Sequence, residues 1–504
     1  MSTTLDQLII EVMKAEDGNL ESLPPKVKLL LKRLLEEREE LLERIRRLEE
    51  RAEQSEERAN QNSRNSSKPP SQDNPSQAPK PNKAQKTKSR GAQKGHPKSS
   101  QSLFETSQCK KVFKHYPKAC QCCGEGLSPS LITAITRHQY LELPKIELEI
   151  TEHQVYQVEC SHCGTSSSGK LPEDVPQSHY GERLSALIAL LRGNYYQSHQ
   201  KIQDLLKDVL GLSISTGQIN RLSREMSQAL EGVVQEAHAY VQQQPVKGSD
   251  ETSFAQRNGD GNNPEERRGW LWGIISPLVS VFQVSLSRAQ SVAQQLLGES
   301  VDKIVLTDRY GGYNWLPLKN RQICWAHLKR DFTALSERPG GSGEVGRELL
   351  KQMKRLFRWW HRWKEGSLSY ELLCAAVSHL RSGMRRVLEE TASYPLKQGA
   401  KSPWAKTVRT CRQILKVEEA LWTFVYTSGV EPTNNASERA LRPAVIWRRI
   451  SYGSHSQQGS EFVARMLTVV TSLKQQKCPV FEFLVEALKA HRHGSKTPSL
   501  IPST

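Results

Sequence analysis

Residues 246–254 read VKGSDETSF, and the fold turns on them, because a short strand-like lead there ends on a carboxylate, Asp250. Two apolar runs follow, GWLWGIIS at 269–276 and SVFQVSLS at 280–287, separated by a Pro turn, and then helix-forming SVAQQLLGES at 291–300. The next run, KIVLTDRYGGY at 303–313, is again a strand that delivers an acid, Asp308. Three strands, a helix and a fourth strand, with acids ending the first and fourth, is the layout of a ribonuclease-H-like α/β domain. Those two strands are neighbours in such a sheet, so Asp250 and Asp308 are expected close enough to share a metal.

A third acid stands far downstream in EPTNNASERALRPAVIWRRISYGSHSQQG, residues 431–459. Asn434 and Asn435 are good helix N-caps, which puts Glu438 in a first helical turn with Arg439 beside it and Arg442 four residues on. Alone, this spacing describes a surface Glu/Arg pair that stabilises by only ~0.3–0.5 kcal/mol. Asp250 and Asp308 upstream argue for more. Glu251, next to Asp250, points to the opposite face of a regular strand and is a decoy.

The 504 residues can hold several domains, and a net charge of +17 suggests a polyanionic partner. No apolar run reaches the ~20 residues of a membrane span, and the N-terminus lacks a signal-peptide pattern, so a cytoplasmic protein is expected. Residues 1–59 form the first segment. Val27, Leu31, Leu34, Arg38, Leu41, Ile45 and Leu48 step by four and three, either a coiled-coil seam for a homo-oligomer or one face of a helix packed on its own domain. Residues 60–118 carry thirteen Lys and Arg against Asp73 and Glu105, with almost no large apolar groups, and read as a disordered basic linker able to neutralise phosphates.

Residues 119–180 hold two CxxCG knuckles, which predict a small module around a structural Zn2+ on Cys120, Cys123, Cys160 and Cys163. Residues 181–244 are helical, and 198–226 have helix-turn-helix spacing, with Ser215, Thr216, Gln218, Asn220 and Arg221 opening the second helix; ordinary helical hairpins share that spacing. The core then spans 245–490, with a helical insertion at about 340–428 and a tail at 491–504. Leu349, Met353, Leu356, Trp359, Trp360 and Trp363 in the insertion read as core rather than a base-stacking platform.

Taken together, NSSKPPSQD, GAQKGH, the knuckles, SDET, TDRYGGY, CWAHLKRDF and EPTNNASERALRP…WRRISYGS resemble the insertion-sequence-66 family of transposases, a branch of the D-D-E recombinases. The resemblance runs over nearly the whole chain. It implies a DNA transposase whose catalytic acids are Asp250, Asp308 and Glu438, with Arg309 standing where relatives carry a small residue. It implies Mg2+ (or Mn2+) on those acids, Asp250 bridging two ions, for cleavage of element ends and strand transfer into target DNA. Companion proteins encoded by the same element are also implied. Arg439, Arg442, Arg448, Arg449 and His327 are candidates to contact DNA, although a packed Cys324 and a backbone-bonded His327 read equally well. Two rivals are a catalytically inactive DNA-binding regulator and a ribonuclease-H-like nuclease that never joins strands.

Overall fold

The computed structural model describes residues 25–66, 102–130, 132–172, 175, 178–298 and 302–502. The GAQKGH element, most of NSSKPPSQD and the densest part of the basic linker lie outside the described residues. The chain divides into two compact units, one of Met1–Gln77, Leu171–Asp204 and Ile214–Thr504, the other of Ala78–Lys170 and Leu205–Ser213.

In the first unit, α1 (Pro25–Ala59) is a 35-residue helix, which Pro opens at the position where its missing N–H costs nothing. Leu34, Leu41, Ile45 and Leu48 of the expected seam are exposed, whereas Val27 is buried.

The second unit carries a short hairpin of β1 (Gln157–Glu159) and β2 (Ser166–Ser168), paired antiparallel with Val158 opposite Ser167. The second knuckle forms its turn.

In chain order, helices α2 (Glu182–Gly193), α3 (His199–Leu210, divided between the two units), α4 (Thr216–Ala229) and α5 (Glu231–Gln243) lead to a five-stranded mixed sheet in the first unit. The helix, turn, helix order expected at 198–226 is present as α3 and α4, with Ser215 capping α4 by accepting the Gln218 N–H.

The sheet consists of β3 (Val246–Ser253), β4 (Trp270–Ile275), β5 (Ser280–Ser285), β6 (Ile304–Thr307) and β7 (Arg321–Ile323), in the order β5-β4-β3-β6-β7. β3, β4 and β5 form an antiparallel meander. After α6 (Gln290–Leu297) the chain crosses over so that β6 runs parallel to β3 and β7 parallel to β6. Two details differ from the reading of the sequence. β3 does not end at Asp250 but continues three residues, because its last half pairs with β4 rather than β6. β7 has only three residues, fully buried, too few to show alternation.

α7 (Trp325–Ser336), α8 (Gly341–Lys364), α9 (Tyr370–Ala392), α10 (Pro403–Leu415) and α11 (Thr423–Tyr426) follow. The insertion builds on a core with Leu349, Met353, Leu356, Trp360, Leu380 and Trp422; of the three Trp residues read as core, Trp360 is buried, while Trp359 and Trp363 are partly buried against it. Its far end is stitched back beside the sheet: Trp325 Nε1 and Gln322 Nε2 donate to Leu421 O at 2.8 and 3.1 Å, and Thr423 Oγ1 to Arg321 O at 2.7 Å. An excursion of about a hundred residues thus returns the chain to where it left.

α12 (Asn435–Ser451), α13 (Gln457–Gln475) and α14 (Val480–His493) complete the fold. The main core lies between sheet and helices, with Leu271, Trp272, Ile274, Met226, Leu441, Met466 and Leu488 buried. α13 lies along β5 and satisfies that edge strand with hydroxyls: Thr468 Oγ1 accepts the Phe282 N–H and Ser472 Oγ the Ser280 N–H, both at 3.0 Å.

Candidate functional site

The parallel pairing of β3 with β6 runs Val246 to Ile304, Lys247 to Val305 and Gly248 to Leu306. Asp250 and Asp308 each lie two residues beyond that last pair, on neighbouring strands roughly 4.8 Å apart, and so share one face. The same face receives α12. A Cβ on Gly248 would lie 2.2 Å from Ser437 Oγ and 2.4 Å from Asn434 Oδ1, so only glycine lets the helix start approach this close.

Asn434 occupies the N-cap of α12, as its sequence predicts, but its side chain is used differently. Its Nδ2 donates to Ser249 O at 3.1 Å and its Oδ1 accepts from Ser437 Oγ at 2.6 Å. One asparagine thereby fastens the helix to the strand one residue before Asp250. Glu438 lies in the first turn of α12, where a helix N-terminus favours negative charge, and near enough for its charge to act on Asp250.

Burial raises the Asp250 carboxyl well above its ordinary value, and the charges of Glu251, Asp308 and Glu438 raise it further against one opposing hydrogen bond from the Glu251 N–H. Asp308 is aimed by the Tyr310 N–H, 2.8 Å from its Oδ1. Neither aspartate makes an ion pair among the described residues. Glu251 contrasts with both. Ser249 and Glu251 alternate to the other face, where Arg288 holds the Glu251 carboxylate at 2.5 and 2.8 Å and Tyr313 Oη donates to it at 2.7 Å. Arg309, the departure from the expected small residue, pairs with Asp331 at 2.5 Å and leaves Asp308 free of it. Crowded acids without a cation of their own are what a divalent ion would neutralise.

Cys324 and His327 stand at the start of α7. The Cys324 N–H donates to Thr307 O at 2.8 Å, fixing this residue beside Asp308, and Cys324 Sγ accepts the Asn434 N–H at 3.1 Å. Burial pushes the Cys324 thiol up, with that N–H opposing, and burial together with Arg330 brings the His327 imidazole down to about 4, so it is neutral at physiological pH. His327 Nδ1 is 3.8 Å and Arg330 Nη2 3.7 Å from Glu438 Oε1.

Residues 177–462 match the profile of the IS66 family of transposases, which covers the sheet, all three acids, the insertion and α12. The chain belongs to the IS66 transposase family. Residues 21–102 match a second family, whose function is unknown. Among curated relatives, the uncharacterized protein y4qI of Sinorhizobium fredii is 26% identical over 260 residues, 47% of this chain and 46% of that protein. The uncharacterized protein y4hP of the same organism is 24% identical over 392 residues, 72% of this chain and 69% of that protein. The chain thus spans about half the length of the first relative and rather more of the second.

In this IS66 family member the four arginines expected to face DNA do not behave alike. Arg439, Arg442 and Arg449 are exposed. Arg448 is half-buried and turned inward, donating to Thr252 Oγ1 at 2.7 Å, Ser253 O at 2.5 Å and Ser253 Oγ at 2.8 Å, which ties the end of α12 to the end of β3. No sequence signal separates it from Arg449. The two knuckles each close as their glycines predict, Gly124 and Gly164 at φ +77° and +71°, with their N–H groups donating to Cys120 O and Cys160 O. The N–H of Cys123 holds the Cys120 thiol below its ordinary value, and Thr165 does the same for Cys163, as suits thiolate ligands. The four sulfurs are not gathered, however. Among the described residues, the group of three or more Cys, His, Asp or Glu donor atoms lying within 4.8 Å of one another is Cys324, His327 and Glu438. Reading the sequence missed Gly248, Asn434 and Ser437 as the residues that seat α12; a glycine two places before a strand acid was the available signal. No described helix is long and apolar enough to cross a membrane.

Proposed function

We propose that this chain is a DNA transposase that cleaves the ends of its mobile element and joins them to target DNA by phosphoryl transfer at Asp250, Asp308 and Glu438. The reading is supported by the equal two-residue offset of Asp250 and Asp308 from the last β3–β6 pair, by the charge of Glu438 acting on Asp250, and by the lack of an ion pair to either aspartate among the described residues. The strand order agrees with the ribonuclease-H-like core expected from the sequence.

The donor set is all carboxylate, which fits hard Mg2+ or Mn2+ ions that keep several waters. A pair of such ions, when bound, would stabilise the attacking and leaving oxygens of an in-line displacement. Asp250 would serve both ions when they are bound, with Asp308 and Glu438 completing the set of residues that would hold them. Two ions ~3.5–4 Å apart spread their ligands over more than one coordination sphere, so the acids need not lie within 4.8 Å of one another. Arg439, Arg442 and Arg449 would hold phosphates beside Glu438, and the basic stretch at 60–118 would add sequence-tolerant affinity. The knuckles fit a structural Zn2+ on Cys120, Cys123, Cys160 and Cys163 once their two turns come together, and α1 offers a seam for a homo-oligomer.

Incubation of the purified protein with Mg2+ and labelled element ends tests this. Cleavage and strand joining are expected, and Asp308→Asn should bind the same DNA but not cut it. Binding without cleavage by the wild type would favour the inactive regulator; cleavage that never yields joined products would favour the nuclease.

A further inference from the structure

We propose that Cys324, His327 and Glu438 form a second metal site, for a thiophilic divalent ion such as Zn2+, chemically unlike the all-carboxylate site and sharing Glu438 with it. The inference rests on the reading of Glu438 given above only for its consequence, not for the binding itself.

Cys324 is the N-cap of α7 and His327 its third residue, so helical geometry brings both side chains to the same turn. The thiol is fully buried and is already seated by the Asn434 N–H. Asn434 is also the N-cap of α12, four residues before Glu438, and the Trp325 N–H donates to Pro432 O at 3.0 Å. The loop that seats the sulfur is therefore the loop that presents the carboxylate. All three donor atoms lie within 4.8 Å of one another. Tetrahedral zinc, with bonds of about 2.0–2.3 Å, needs donor separations of roughly 3.3–3.8 Å, and His327 Nδ1 and Glu438 Oε1 are already 3.8 Å apart.

A second observation points to a ligand. His327 Nδ1 is buried and has no hydrogen-bond partner among the described residues, and 3.8 Å to the Glu438 carboxylate oxygen is too long to supply one. Buried polar atoms are rarely left unsatisfied in native folds. A metal in this position satisfies it. Sulfur, nitrogen and oxygen together select Zn2+ or Co2+ and disfavour Mg2+, and three protein ligands leave a fourth position for water or a phosphate oxygen. Arg330 Nη2 is the competing cation, at 3.7 Å from the same Glu438 oxygen, a contact loose enough to yield. The consequence is that a zinc ion here withholds Glu438 from the catalytic pair and slows cleavage.

Co2+ titration of the metal-stripped full-length chain, read by optical absorption and by bound-metal count, tests the site without DNA or turnover. The wild type should bind one more equivalent than Cys324→Ser and than His327→Gln, with a thiolate-to-cobalt charge-transfer component absent from Cys324→Ser. Asp308→Asn, whatever it loses at the carboxylate site, should keep the thiolate-to-cobalt component. Equal stoichiometry and spectra in the wild type and His327→Gln, which keeps the thiol in place, would overturn the proposal, as would loss of the thiolate-to-cobalt component in Asp308→Asn. A chain that cuts DNA but takes up no additional cobalt refutes this site alone.

Discussion

The two faces of β3 hold adjacent acids with opposite fates. Glu251 is enclosed by Arg288 and Tyr313, so its charge is matched by a guanidinium and a hydroxyl. Asp250, one residue earlier, is raised well above its ordinary value by burial and by the charges of Glu251, Asp308 and Glu438, with only the Glu251 N–H opposing. The difference teaches that acidity at a position says little until the partner is known. A satisfied buried acid holds a fold together; a crowded one with no counter-charge awaits an ion.

The sharpest way to break this contrast without touching a carboxylate is at Gly248. Gly248→Val places atoms where Ser437 and Asn434 stand, so α12 must shift and Glu438 with it. An expected ~100-fold loss of cleavage reflects misplacement of about 1 Å at a reacting centre, accompanied by roughly 1–3 kcal/mol of instability from overpacking, both measurable by single-turnover kinetics and denaturant melts.

A smaller effect appears in the metal-free protein. Because the folded-state Asp250 carboxyl is raised above its ordinary 3.8, folding binds a proton there, and stability falls as pH rises from about 3.8 through the raised value. Asp250→Asn should therefore be more stable than the wild type at pH 8 in chelator, with the advantage vanishing toward pH 4 and shrinking on addition of Mg2+. Melting curves at the two pH values check the sign.

The smallest difference is between arginines on α12. Arg442→Ala should lower the slope of log affinity against log salt by ~1, the signature of one lost phosphate contact. Arg448→Ala should leave the slope unchanged and reduce thermal stability instead, since its donors are spent on Thr252 and Ser253.

Much of this was legible in the residues. Apolar runs announced β4, β5 and β6, and the two aspartates stood out because each ended a strand-like lead, short and weakly apolar before Asp250 and strongly apolar before Asp308. The Trp residues of the insertion were read as core, and Trp360 is buried there. What stayed hidden depended on tertiary pairing. β7 is three residues long, and its strand character comes from lying beside β6. The inward turn of Arg448 is set by where β3 ends, and that end is set by pairing with β4. Asn434 looked like a routine helix cap, yet its side chain joins α12 to β3, a contact across 185 residues that no local pattern encodes. The four knuckle cysteines show the reverse case: the local turns form as their spacing and glycines dictate, while their convergence depends on more than spacing.

The most direct test compares the two neighbours on β3. Single-turnover cleavage of labelled element ends in Mg2+ should fall by roughly 10³-fold or more in Asp250→Asn, the several kcal/mol expected from a metal ligand. Glu251→Gln, measured where it remains folded, should stay within about tenfold of wild type while losing roughly 2 kcal/mol of stability with its charged hydrogen bonds. Near-normal cleavage by Asp250→Asn, or its abolition in folded Glu251→Gln, would contradict the assignment of the two faces and the active site built on it.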